Sequence, residues 1–343
     1  MNDLLIRTEG FAGRITLNRP AALNALTHAM CLEIEAALQG WVQNADVALV
    51  IIDGQGERAF CAGGDVIAIY NDGMAGRDAA ARQFWRDEYR LDALIANYPK
   101  PYVAIMDGIV MGGGVGLSAH GSCRIVTERT VLAMPECGLG LIPDVGGSLL
   151  LANMPGHCGE YVGLTGTRLD GADAIYGGFA DHFVPASRID ALVAVLCSSR
   201  DWPGIAAFEI APPASKLSRD QEKIDAIFAL ADLAGIRAAL SQDQSELGAK
   251  ARAAVETGAP LSHWATLSTI RAARVHRSLS LALRDEFRFV SRSVLHGELL
   301  EGIRAALVDK DRRPRWRHGS FEDIPASLLS LFSGAPDDGD LIP

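Results

Sequence analysis

Apolar residues in the first half of the chain fall into short runs separated by stretches of helical spacing. Residues 4–8 and 14–17 read as two strands of a hairpin that turns through residues 10–13. Thr27 stands where a helix running to about Val42 needs its N-cap, and residues 47–52 and 102–106 are apolar runs of buried-strand length. Asp53 and Gly54 turn the chain into the loop QGERAFCAGGD. After it, residues 66–70 predict a short helical turn, 71–76 a link, and 78–97 a long helix. Further on, residues 148–153 and 159–164 read as helices, Asp170 caps another, and 182–184 is a strand. From Ile189 onward strand signals stop and helical periodicity takes over, through 221–233, 261–274, 279–295 and 300–307. Alternation followed by helices alone predicts an α/β fold with a helical C-terminal region. The expected division is 1–200 for the α/β core and 201–343 for the helical domain, with 201–215 the most linker-like stretch.

Composition narrows the function. The 343 residues are 49% apolar and 22% charged, ordinary for a globular protein, and no segment reaches the roughly 18 apolar residues of a membrane span. A formal net charge of −10 disfavours nucleic acid, whose binding runs on basic patches, while leaving room for a small anionic ligand. The six cysteines form no CxxC pair and the eight histidines no metal-ligand spacing, so reduced thiols and no metal site are expected. The start MNDLLIRTEG lacks a basic segment followed by an apolar core, which places the chain in the cytoplasm as an expectation.

The candidate chemistry lies between Asp107 and Gly147. Gly112, Gly113 and Gly114 follow an apolar strand and open a short helix, exposing backbone N–H groups suited to a developing oxyanion. Ala62 in FCAGGD could present a second N–H towards that of Gly113, which would make an oxyanion hole. Glu136 and Asp144 stand on a loop rich in Gly and Pro. Rival motifs fail on spacing. GGGVGLSAHG lacks GxGxxG, and GLSAH lacks the second Gly of a nucleophile elbow, so Ser118 and His120 read as helix-packing residues and Cys137 as a small buried neighbour. Glu88 shares a helical face with Phe84, Leu91 and Ile95. It is either a rim residue, one paired with a base such as Arg124, or part of a polar pocket.

LNRPAALNALT, AFCAGGD, DGIVMGGGVGLS and AMPECGLGLIPDVGG together resemble the enoyl-CoA hydratase/isomerase, or crotonase, superfamily. Within it, WRDEYRLDALI, Asp144 after Ile142-Pro143, and LRDEFRFVSRSVLHGELLEGIRAALVDKDRRPRW are similar to the 3-hydroxyisobutyryl-CoA hydrolases. The resemblance implies a crotonase-like spiral of ββα turns, a helical C-terminal region covering the site, and no metal or redox cofactor, coenzyme A being part of the substrate. Carried over by position, Glu136 and Asp144 are catalytic, and Ala62 and Gly113 form the oxyanion hole. Glu88, Gly63, Gly64, Asp65 and Gly112 line the substrate, and Ala22, Leu23 and Lys310 meet CoA.

The family's hydratases use two glutamates, one matched here by Glu136 and the other falling on Gly116; Asp144 stands where hydratases usually have Gly. Ala21 departs from the Lys that members often carry after the Pro of LNRP. The pattern implies hydrolysis of a short branched 3-hydroxyacyl-CoA thioester, with 3-hydroxyisobutyryl-CoA first and valine catabolism as the pathway. Alternatives are an enoyl-CoA isomerase or hydratase, and a non-catalytic acyl-CoA-binding protein. Glu136 acts either as a nucleophile forming a mixed anhydride or as a general base on water. Neither nucleic acid nor membrane is expected as a partner, and a homo-oligomer is left open. The basic run Lys310, Arg312, Arg313, Arg315 and Arg317 is either a solvated face or a lip for CoA phosphates.

Overall fold

The computed structural model describes residues 2–201, 204–337 and 339–342. It contains ten strands: β1 (Leu4–Glu9), β2 (Ala12–Leu17), β3 (Leu49–Gly54), β4 (Ala59–Cys61), β5 (Tyr102–Met106), β6 (Ile109–Met111), β7 (Cys123–Val126), β8 (Val131–Ala133), β9 (Leu169–Asp170) and β10 (His182–Phe183). A six-stranded sheet runs β1-β2-β3-β5-β7-β10 and a four-stranded sheet β4-β6-β8-β9. Only the first pair of the larger sheet and the β8–β9 pair are antiparallel.

The chain alternates between the two sheets. Strand β3 leads to β4 and the helix Val66–Met74; β5 leads to β6 and the helix Gly113–Ala119; β7 leads to β8 and the 3₁₀ turn Glu136–Leu139. Each turn is a long strand, a short strand and a helix, the expected spiral of ββα turns. The central strands are buried on both faces, which is why they read as continuous apolar runs. One face packs Ala12, Leu49, Ile51, Val103, Ile105 and Ile125 against Leu192, Val193 and Leu196 of the helix Ile189–Ser198.

The division along the chain differs from a single cut at residue 200. One compact unit comprises the chain up to Gly64, Arg90–Ala133 and Arg168–Ser218, and holds both sheets; the other comprises Asp65–Tyr89, Met134–Thr167 and the chain from Arg219. In the second unit the helix Pro260–His276 packs on Gly147–Ala152, Cys158–Thr165 and Leu279–Ser293. The expected helix 221–233 is two, Lys216–Phe228 and Leu233–Gln242, because Asp232 caps the second by accepting from Gly235 N at 2.8 Å. The link expected at 71–76 is helical as far as Met74. Its Gly73 lies so close to Leu300 that an added Cβ would sit 2.7 Å from that side chain, so packing overrides the poor helix propensity of Asn-Asp-Gly.

Candidate active site

Parallel pairing of β4, β6 and β8 sets their C-terminal ends side by side, with Met111 opposite Ala133. In open α/β sheets such ends are where ligands bind. The residues leaving them are Ala62–Asp65, Gly112–Gly113 and, three positions past Ala133, Glu136. Gly114 lies against the Cys61 carbonyl, closer than any Cβ would permit, so the first two loops meet backbone to backbone. In the helix Gly113–Ala119 the Gly112 carbonyl takes the N–H groups of Val115 and Gly116, while the Gly113 N–H, at the first helical position, has no acceptor among the described residues.

Ala62 requires a correction. Its N–H donates to the Leu23 carbonyl at 3.0 Å and is therefore engaged, whereas that of Gly64, two residues on, has no acceptor among the described residues. The structure thus offers Gly64 and Gly113 as the donor pair. Leu26 N donates to the Gly63 carbonyl at 2.9 Å, tying the same loop to the segment that contains Ala22 and Leu23. There the 3₁₀ turn Pro20–Ala22 ends in left-handed Leu23 and Asn24. Buried Asn24 fixes that turn: its amide donates to the carbonyls of Gln55 (3.1 Å) and Ala59 (2.8 Å) and accepts from Arg19 N. The sequence reading passed over Asn24, although an amide between Leu23 and Ala25 was the available signal. The Asp65 carboxylate caps the helix Val66–Met74.

A cluster of buried carboxyl groups occupies the second unit. Phe84, Glu88, Leu91 and Ile95 all face inward from the helix Asp78–Ala96, with Glu88 only 3% exposed. Pairing with Arg124 is not its partner, since Arg124 is bound by Asp181 at 2.6 Å. Oε1 of Glu88 and Oε2 of Glu136 are buried without a hydrogen-bond partner among the described residues. Asp144, equally buried, accepts from the Tyr89 hydroxyl at 2.8 Å. Glu286, which the sequence reading left unassigned, is fully buried and takes Gly146 N at 2.7 Å and Ser148 N at 2.9 Å.

Among the described residues no Lys, Arg or His forms a bond with Glu88, Glu136 or Asp144, and desolvation governs their protonation. Burial, and then the charge of Asp144, push Glu88 and Glu136 well above the usual carboxylate range. Asp144 itself is pushed up to about 7 by burial, against the opposing pull of its Tyr89 bond. Glu286 rises to about 8 for the same reason, opposed by its bonds to Ser148 and Gly146. Groups poised in this way can take and return protons near neutrality.

Remaining candidates are placed as follows. Ser118 donates to the Gly114 carbonyl of its own helix at 2.7 Å, a packing role. Cys137 is buried beside Thr266, and burial holds its thiol at about 12, which removes it as a nucleophile. Lys310 is exposed in a left-handed conformation at φ 57°. Among the described residues no three His, Cys, Asp or Glu side chains are placed to hold a metal ion.

A ββα spiral with free N–H groups at its strand ends and a buried Glu/Asp set defines a class of acyl-CoA enzymes. The chain belongs to the enoyl-CoA hydratase/isomerase family, whose sequence pattern matches residues 12–332. It is 40% identical to the Gallus gallus protein named 3-hydroxyisobutyryl-CoA hydrolase, mitochondrial, over 94% of this chain and 86% of that one. A solved structure titled enoyl-CoA hydratase, from Rhodobacter sphaeroides, is 45% identical with TM-score 0.95 and covers 99% of this chain and 100% of its own. One titled carnitinyl-CoA dehydratase, from Mycobacterium thermoresistibile, is 43% identical with TM-score 0.94, covering 99% and 98%. The mitochondrial name of the avian relative overturns the cytoplasmic placement expected from the N-terminus.

Proposed function

We propose that this protein is an acyl-CoA thioester hydrolase that converts 3-hydroxyisobutyryl-CoA and water to 3-hydroxyisobutyrate and CoA. One observation carries the choice among family reactions. Asp144 is buried, held by Tyr89 and electrostatically linked to Glu136, whereas the position of a hydratase's second glutamate is Gly116, inside a buried helix and without a side chain. A site with that pair lacks the second carboxylate of concerted hydration but keeps a base and a partner for thioester cleavage. The names of relatives spanning most of the chain support the same reading, and the hydratase and dehydratase titles of the two solved structures do not outweigh it.

In the proposed reaction the thioester oxygen accepts from the N–H groups of Gly64 and Gly113, which stabilise the charge that develops as the carbonyl carbon becomes tetrahedral. Glu136 either attacks that carbon or removes a proton from the attacking water. In both routes the C–S bond breaks, the sulfur leaves as a thiol after gaining a proton, and one water oxygen ends in the product carboxylate. Asp144 orients the water or the substrate hydroxyl and relays the proton; Glu88 lines the acyl end. Ala22, Leu23 and Lys310 meet the CoA portion. Hydrolysis involves no net oxidation or reduction, so the proposal includes no redox cofactor. The test is thiol release across a panel of 3-hydroxyacyl-CoA and enoyl-CoA esters, with hydration and double-bond migration followed in parallel. Thiol release fastest with 3-hydroxyisobutyryl-CoA is expected; hydration or isomerisation without thiol release would overturn the reading.

A further inference from the structure

Resting on the hydrolase reading above, we propose that Tyr89 and Glu286 are positioning residues that hold the side chain and the backbone of Asp144 in its working orientation. The turn after Asp144 is an unfavourable one. Val145 (φ 54°) and Gly146 (φ 78°) are both left-handed, and a β-branched residue rarely adopts that conformation. Within the turn, Gly147 N donates to the Asp144 carbonyl at 2.7 Å. Glu286 closes it from outside: one oxygen takes Gly146 N, and the other takes both Ser148 N and the Ser148 hydroxyl. A carboxyl buried without a cation is costly in a helix core, yet here all of its bonds go to the residues just past Asp144.

The same helix, Leu279–Ser293, also holds the side chain of Asp144 through one intermediary. Phe287, next to Glu286, meets the Tyr89 ring edge-on at 6.2 Å and 76°, and its own ring lies 4.5 Å from the Arg86 guanidinium. With its ring fixed in this way, Tyr89 aims its hydroxyl at Oδ2 of Asp144. Adjacent residues of one helix thus determine where Asp144 sits and which of its oxygens is held. A bond donated to the ionised carboxylate also lowers the pH at which Asp144 gives up its proton.

Tyr89→Phe deletes the donor while keeping the ring packed on Phe287. The pH profile of thiol release is measured for the wild type, for Asp144→Asn, which identifies the limb set by Asp144, and for Tyr89→Phe. That limb should move up by about one pH unit in Tyr89→Phe, and turnover at pH 7 should fall by about tenfold with the Michaelis constant within about twofold. Glu286→Gln, which turns one acceptor into an amide facing an N–H, should lower turnover per folded enzyme by about tenfold or more, and Glu286→Ala should lower it further. Wild-type enzyme that releases thiol, together with variants that lose only thermal stability and keep its pH profile and turnover, would overturn the positioning role alone. A wild type that releases no thiol would remove the hydrolase reading and this inference with it.

Discussion

The Tyr89 hydroxyl donates to Oδ2 of Asp144 at 2.8 Å, while the preceding residue, Glu88, is pushed well above the usual carboxylate range by burial and by the charge of that same Asp144. Neighbours on a helix point about a quarter turn apart, so two successive residues can flank one group. Burial raises Asp144 and the Tyr89 bond pulls it back, which leaves it near neutrality, at about 7, instead of fixing it in one charge state. Glu136, raised by burial and by Asp144, belongs to the same electrostatic unit. The carboxyls therefore titrate as a set, and a mutation at one should be felt at the others.

Glu136→Gln keeps the shape of the side chain and removes both its basicity and its carboxylate nucleophile. Turnover in the thiol-release assay should fall by at least about a hundredfold, with little change in acyl-CoA affinity measured by calorimetry. Near wild-type turnover would remove Glu136 from the chemistry.

Stability should fall as pH rises towards 8. Asp144 and Glu286 have folded-state values of about 7 and about 8 against reference values of 3.8 and 4.5, so between those limits the folded protein keeps protons that the unfolded chain has released. Their contribution is present below the unfolded values and lost as pH passes the folded ones. Buried His263, lowered to about 4 from 6.5, works in the opposite sense between those two values, since there the unfolded chain binds the extra proton. With the opposing His263 fading as pH nears 6.5 and Asp144 itself releasing its proton above about 7, the decline should be steepest between about pH 6 and 7.5, at up to roughly 1.4 kcal/mol per pH unit for each carboxyl group. Urea midpoints across pH 5–8 would check this, and Asp144→Asn should flatten the slope. A midpoint that rises from pH 6.5 to 8 would contradict it.

The parts of this architecture visible in the sequence are those with enough residues to show a period. Thr27 accepts from Met30 N at the start of the helix His28–Val42, Asp170 caps Gly171–Tyr176, and Tyr102–Met106 is a strand, all as the pattern predicts. Strands β4, β6 and β8 were not seen because three residues cannot display alternation. Glu88 was legible because its burial follows from helical phase. The engagement of the Ala62 N–H by Leu23 was not, since it depends on a contact between residues far apart in sequence. Glu286 escaped for the same reason: its function depends on Gly146 and Ser148, well over a hundred positions away.

Glu88→Gln should separate hydroxylated from plain substrates. The Glu88 carboxyl is buried with Oε1 unpartnered, so a hydrogen bond to the 3-hydroxyl is the natural use for that atom. We expect kcat/KM for 3-hydroxyisobutyryl-CoA to fall by about tenfold or more, and that for isobutyryl-CoA, which lacks the hydroxyl, to change by less than about threefold. Equal losses with both esters would assign Glu88 to general electrostatics of the cluster.

The basic run at 310–317 is more constrained than its sequence implies. Arg304 binds Glu301, Asp309 and Asp311, and the backbone N–H groups of Arg315 and Arg317 are taken by Glu301 and Glu298. These bonds hold the segment, with Asp309 and Asp311 on either side of Lys310 both taken by Arg304, while the Lys310 side chain stays exposed. An acidic protein that binds a ligand with several phosphate charges needs such a local basic patch, and the resemblance assigns Lys310 to it. Lys310 is left-handed at φ 57°, a conformation that Ala adopts no more easily than Lys, so Lys310→Ala changes the charge without altering the backbone preference. The Michaelis constant for the CoA ester should rise several-fold while turnover holds, and the difference should shrink as salt screens the interaction. With the corresponding pantetheine thioester, which lacks those phosphates, Lys310→Ala and wild type should behave alike. Equal damage to both substrates would mean that the segment acts through folding, and the phosphate contact would have to be abandoned.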